Sequence, residues 1–146
     1  MPSQPAHRRI LLACTEPAEP VLRRMLDPLG AELVARFTHE QAIDRIREGV
    51  DLVVCSLRFD ESRMLDLVAE VAGTDPHLPF VCCRVLDSDL PQTSLRAAFV
   101  AAGHLGAVGV LDFPALARSQ GVARAEREVR EVVAAHLQDA EHPSMS

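Results

Sequence analysis

The stretch Val50-Asp51-Leu52-Val53-Val54-Cys55-Ser56-Leu57-Arg58-Phe59-Asp60 decides the fold. It is a short apolar run rich in β-branched residues, it closes on polar ones, and a helical pattern follows it. That is the signature of a central strand buried on both faces. In a parallel α/β sheet, ligands and chemistry gather just beyond the carboxyl ends of the strands, so Cys55, Ser56 and Leu57 mark the first place to look for function.

Working outward, the same alternation repeats on both sides. Towards the N-terminus, Arg9 to Cys14 reads as a first strand. A helix follows with Pro20 in its first turn, an apolar face of Val21, Leu22, Met25, Leu26 and Leu29, an irregular end at Pro28, and Gly30 as its stop. Ala31 to Phe37 is a shorter strand interleaved with Glu32 and Arg36, which predicts a sheet edge. Thr38-His39-Glu40-Gln41 matches a capping box and opens a helix through Ile46 to Gly49.

Towards the C-terminus, Asp60 is placed to cap a third helix through Met64, Leu67 and Val71, closed by Gly73. Pro79 to Val85 is a fourth strand, apolar until Arg84. An acidic loop with Asp87 and Asp89 leads to a helix of Leu95, Ala98, Phe99 and Ala102. Gly106 to Leu111 is a fifth strand whose glycines predict close backbone approach. A last helix from about Ala115 to Gln138 is expected to bury Val122, Val129, Val132, Val133 and Leu137. Residues 1–8 read as a flexible lead, 9–138 as one domain and 139–146 as a flexible tail. Five strand-helix pairs in strict alternation predict an α/β protein with a parallel sheet between two helix layers.

Composition bounds the function. At 146 residues the chain can bury a core of its own, and a net charge of −6 gives no electrostatic pull toward nucleic acid or anionic lipid. The apolar opening Ile10 to Cys14 is far short of the ~20 residues needed to cross a bilayer and shorter than a signal-peptide core. The expectations are a cytoplasmic protein, no nucleic-acid partner and no membrane partner.

Beyond pattern, the central strand resembles the third strand of the response-regulator receiver domain of bacterial two-component signalling. Arg9-Ile10-Leu11-Leu12-Ala13-Cys14-Thr15-Glu16-Pro17 resembles that family's opening, and Gly106-Ala107-Val108-Gly109-Val110-Leu111-Asp112-Phe113-Pro114 its fifth strand. The resemblance covers residues from about 7 to 138. It implies a flavodoxin-like three-layer sandwich with strand order 2-1-3-4-5. It also assigns positions. The phosphoacceptor aspartate corresponds to Ser56, and the two acidic residues that hold magnesium to Cys14 and Thr15. The hydroxyl residue after strand four corresponds to Arg84, the switch aromatic to Val110, and the lysine after strand five to Phe113. Pro114 matches the family's proline, which follows a cis peptide bond.

A thiol and a neutral hydroxyl do not replace two carboxylates around magnesium, which takes hard oxygen ligands in an octahedron. The resemblance therefore points to a degenerate, or pseudo-receiver, domain with no catalytic residue, no cofactor and no metal. Phosphorylation of Ser56 by another route is an alternative, though no base adjoins it. A flavodoxin-like or thiol-dependent enzyme is a further one. The first lacks a glycine-rich phosphate loop, since Thr15-Glu16-Pro17-Ala18-Glu19-Pro20 carries two carboxylates instead.

Cys14, Cys55, Cys82 and Cys83 all fall in predicted strands, with no CxxC, and read as buried core thiols without a disulfide. His7, His39, His77, His104, His136 and His142 lack metal-ligand spacing and read as surface or helix-packing residues. Arg84 is a solvated arginine or a partner for Glu16 or Asp112. The charged face of the last helix, with Arg124, Arg127 and Arg130, is a solvated face or an interaction surface. The expectation is a stand-alone, non-enzymatic module that signals by binding a protein partner, or a second copy of itself as a homodimer.

Overall fold

Strand alternation builds two cores, one on each side of a single sheet. The computed structural model describes residues 7–87 and 90–141, the side chains from Asp139 onward excepted. The strands are β1 Arg9–Ala13, β2 Glu32–Arg36, β3 Leu52–Ser56, β4 Phe80–Arg84 and β5 Gly109–Asp112. All pair in parallel, in the order β2-β1-β3-β4-β5. Ile10, Leu12, Leu52, Val54, Val81 and Cys83 face one layer; Leu11, Ala13, Val53, Cys55, Phe80 and Cys82 face the other. Every residue of β1 after Arg9, and all of β3 and β4, is buried, which is why these strands carry no polar alternation.

The first layer holds α1 Glu19–Leu26 and the last helix, through Leu22, Met25, Leu26, Ala125, Val129 and Val133. The second holds α2 His39–Glu48, α3 Met64–Thr74 and α4 Gln92–Leu105, through Ala42, Leu67, Val68, Val71, Leu95 and Ala102. Pro28 turns the end of α1 into a 3-10 turn, Asp27–Leu29, that stops at left-handed Gly30. At Gly106, φ is +125° and an added Cβ would lie 3.0 Å from the Ala72 Cβ, so the close approach expected of the glycines occurs there, between the end of α4 and α3.

Three local expectations are corrected. Asp60 does not cap the third helix. It sits in a left-handed turn, with φ of 44° at Asp60, 56° at Glu61 and 70° at Ser62, and its Oδ2 accepts the His39 backbone N–H at 2.7 Å. It therefore caps α2 from a neighbouring loop, beside Thr38, whose Oγ1 accepts from the Gln41 N–H at 3.1 Å. Gly73 does not close α3, which runs on to Thr74.

The long last helix is two helices, α5 Phe113–Gln120 and α6 Val122–Glu141, broken at Gly121 where φ is +92°. The break turns Val122 outward, 51% exposed, and Val132 and Leu137 are only partly buried. Helix α6 also continues into the segment read as a tail. Residues 1–6 and 142–146, with His142, and Ser88 and Asp89 of the acidic loop lie outside the described residues.

Candidate functional site

The carboxyl ends of β1, β3 and β4 converge on a cavity of about 170 Å³, lined by Thr15, Ser56, Arg58, Arg84, Val85 and Asp87 among others. Of the residues singled out by sequence, Thr15, Ser56 and Arg84 meet there. Ser56 is 3% exposed, and its Oγ is buried with no hydrogen-bond partner among the described residues. Thr15 is half-buried and Glu16 is exposed outside the cavity.

Arg84 is the organising charge. It is 5% exposed, and the β4–β5 register sets it opposite Asp112. Its Nη1 donates to Asp112 Oδ1 at 3.1 Å and its Nη2 to Asp87 Oδ1 at 2.8 Å. Asp87 Oδ2 also accepts from Arg118 Nη1 at 3.1 Å, and Asp112 Oδ1 accepts the Ala115 N–H that starts α5. One chain of ion pairs thus joins β4, β5, the β4–α4 loop and α5. Arg84 is not a solvated arginine, and of the two carboxylates considered for it, Asp112 is the partner. Sequence reasoning missed Asp87 and Arg118 because their meeting depends on the sheet register and on where α5 starts.

The cysteines lie in the cores. Burial pushes the Cys14 thiol up to about 12, with Glu19 adding to the rise and Arg23 opposing it. Burial likewise carries Cys82 and Cys83 to about 12 and Cys55 well above its ordinary value. Near neutral pH the thiolate, the reactive form, is scarcely populated. In the folded protein all four are expected to react with a thiol reagent at least ~10³-fold more slowly than in urea, as followed by absorbance. The sign of the pH effect follows. Unfolded thiols lose their protons above about 9 while folded ones keep theirs, so stability falls as pH rises through that range. Urea midpoints at about pH 8 and pH 10.5 measure it.

No family model matches the sequence, and no characterised protein matches it at sequence level. Solved structures do. A response regulator receiver domain protein from Methanospirillum hungatei superposes with a TM-score of 0.70 at 15% identity, covering 95% of this chain and 100% of that one. The chain has the receiver fold. A response regulator from Chloroflexus aurantiacus gives 0.66 at 17% identity over 88% of this chain and 98% of that one. The signal receiver domain of an HD domain-containing protein from Pseudomonas fluorescens gives 0.60 at 20% over 88% and 96%.

Cys14 and Thr15, which the sequence resemblance sets at metal-binding positions, do not fit magnesium. Cys14 is fully buried in the α1-side core, outside the cavity, and Thr15 offers a neutral hydroxyl. Among the described residues, Asp87 alone brings a carboxylate to the cavity lining, and it is held by two arginines. Among the described residues, no group of three or more His, Cys, Asp or Glu could hold a metal ion. Phe113, which the resemblance matches to the family's lysine, packs into the α1-side core at 9% exposure. Pro114 sits in the first turn of α5, and the Phe113–Pro114 bond is trans, like every peptide bond described.

Val110 is 41% exposed and lines a separate groove of about 580 Å³ between α4 and β5, with Leu95, Phe99, Val100 and His104. Arg124 and Arg127 are exposed on α6. Arg130 is not simply a surface charge, because its Nη1 donates to the Met25 carbonyl at the end of α1, at 2.8 Å. Among the described residues, no helix is long and apolar enough to cross a membrane.

Proposed function

We propose that this chain is a signalling module of the pseudo-receiver type, non-enzymatic, acting by protein-protein contact without aspartyl phosphorylation. The observation that carries this reading is the closure of Arg84 on Asp112 and Asp87, at the place where a receiver would gather its phosphoryl-binding groups. Phosphoryl transfer depends on positioned charge around the acceptor. Here the charges are spent on one another, and the acceptor position is a buried serine hydroxyl.

A module without that chemistry acts by the surface it presents. The apolar side chains Val100, Leu105, Val108 and Val110 stand 54%, 38%, 49% and 41% exposed on α4 and the approach to β5 and its strand, and Glu128 of α6 lines a groove with Val110. Such a strip flanked by charge suits a protein partner or a second copy of the chain. The partner's contacts are assigned to this strip together with Arg124 and Arg127.

The test combines sedimentation with recovery of partners from the native host. Val108→Asp with Arg127→Glu is expected to weaken self-association or partner capture at least tenfold while the melting curve stays within a few degrees of the parent's. Unchanged association and unchanged capture would remove this surface from the account. Arg130 behaves differently. Arg130→Glu loses the bond to the Met25 carbonyl, so it is expected to cost ~1 to 3 kcal/mol in urea unfolding, whereas Arg127→Glu costs under ~0.5 kcal/mol.

A further inference from the structure

The geometry points to a binding site for a small amphipathic carboxylate, formed by the cavity at the sheet end together with an apolar slot beside it. This inference goes beyond the proposed docking role and is independent of it. The slot, of about 160 Å³, is lined by Met64, Leu65, Leu90 and Ala98 with Ser62 and Ser94 also on its wall, and it shares Leu57 and Arg58 with the cavity. A single ligand can therefore lie across both, with Arg58 at the junction.

The charges select an anion. Asp87 is neutralised by Arg84 and Arg118, and Glu19 by Arg23 at 2.7 Å. Glu16 lines neither space. Arg58 is exposed, lines both spaces and enters no ion pair among the described residues, so its guanidinium is available to an anion at the junction. Ser56, whose buried hydroxyl has no partner among the described residues, and Thr15 line the same cavity and supply hydrogen-bonding capacity for a carboxylate oxygen. One uncompensated guanidinium suits a monoanion better than a dianion, which would carry a net negative charge into a partly apolar space. Leu57, Met64, Leu65 and Ala98 then favour a hydrocarbon body over bare phosphate. Each methylene taken into such a slot adds about fourfold to affinity.

The experiment titrates the full chain with acetate, butyrate and hexanoate, with hexanamide as the uncharged control and inorganic phosphate as the bare oxyanion, followed by backbone amide shifts. Hexanoate is expected to bind saturably, moving Leu57 and Arg58, with affinity rising roughly fourfold per methylene from butyrate and hexanamide at least tenfold weaker. Arg58→Gln should cut hexanoate affinity at least tenfold without moving the melting temperature. Ala98→Met should cut hexanoate but not acetate binding. Saturable binding that survives Arg58→Gln, no binding of hexanoate, or phosphate binding more tightly than hexanoate would each overturn the assignment.

Discussion

Arg84→Ala is expected to lower the stability of the folded chain by about 3 kcal/mol, seen as a melting temperature roughly 10 °C below the parent's. The size comes from what the substitution leaves behind. Asp112 is only 20% exposed, and its Oδ1 is shared between Arg84 and the first turn of α5. Removing the guanidinium strands that carboxylate in a poorly solvated place and frees Asp87, which Arg84 and Arg118 together hold over the cavity. Asp87 is itself 69% exposed, so most of the loss is assigned to Asp112. Pairing Arg84→Met with Asp112→Asn should recover most of the loss, because the amide oxygen can still accept the Ala115 N–H and no charge is left unpaired. A single variant that melts with the parent would mean that the network is a solvated surface feature.

Phe59→Ala is expected to cost ~3 to 5 kcal/mol and to hasten amide exchange at His39. Phe59 is fully buried in the α2-side core and opens the left-handed turn that carries Asp60. Three successive residues at positive φ, none of them glycine, are a costly backbone conformation held by its surroundings. The phenyl ring is the turn's largest anchor. Without it, a cavity opens in the core and Asp60 loses its fixed aim at the start of α2, so a packing loss at one residue reaches a helix cap on another element. The midpoint of urea unfolding gives the first effect, and hydrogen exchange the second. Loss of stability with His39 exchange unchanged would show that the cap does not depend on this ring.

What was legible in the sequence was the part governed by period. Strands buried on both faces leave a continuous apolar run, so β1, β3 and β4 could be read directly, and Glu32 and Arg36 gave β2 away as an edge. Pro20, Pro28 and Thr38 act through their own backbone or the next turn, and each does what its chemistry dictates. The misreadings fall where a residue acts at a distance or against its type. Asp60 has the right chemistry for a cap, but it caps a helix 21 residues earlier in the chain, which no local rule reveals. The left-handed turn carries neither glycine nor asparagine, the usual signals for positive φ. Gly121 did carry its signal, a helix-ending glycine after Gln120, and was overrun by the strong apolar period on either side.

The candidate site divides in the same way. The resemblance assigned Ser56, Cys14, Thr15 and Phe113 to the site, and of these Thr15 and Ser56 line the cavity while Cys14 and Phe113 lie in the core. Their environment could not be read from the sequence. That Arg84 is buried follows from its register opposite Asp112, and that Arg58 enters no ion pair among the described residues follows in part from the pairing of Glu19 and Asp87 with other arginines.

As proposed, the pocket of this receiver fold does not take up a phosphoryl group as receivers do. Intact-mass analysis after incubation with acetyl phosphate and magnesium tests it most directly, using the parent, Ser56→Ala and Ser56→Asp. The expected result is no phosphoryl group on any of the three, because a restored carboxylate at position 56 would still lack metal-binding partners at Cys14 and Thr15 and a lysine at Phe113. One phosphoryl group on the parent, absent from Ser56→Ala, would contradict the claim.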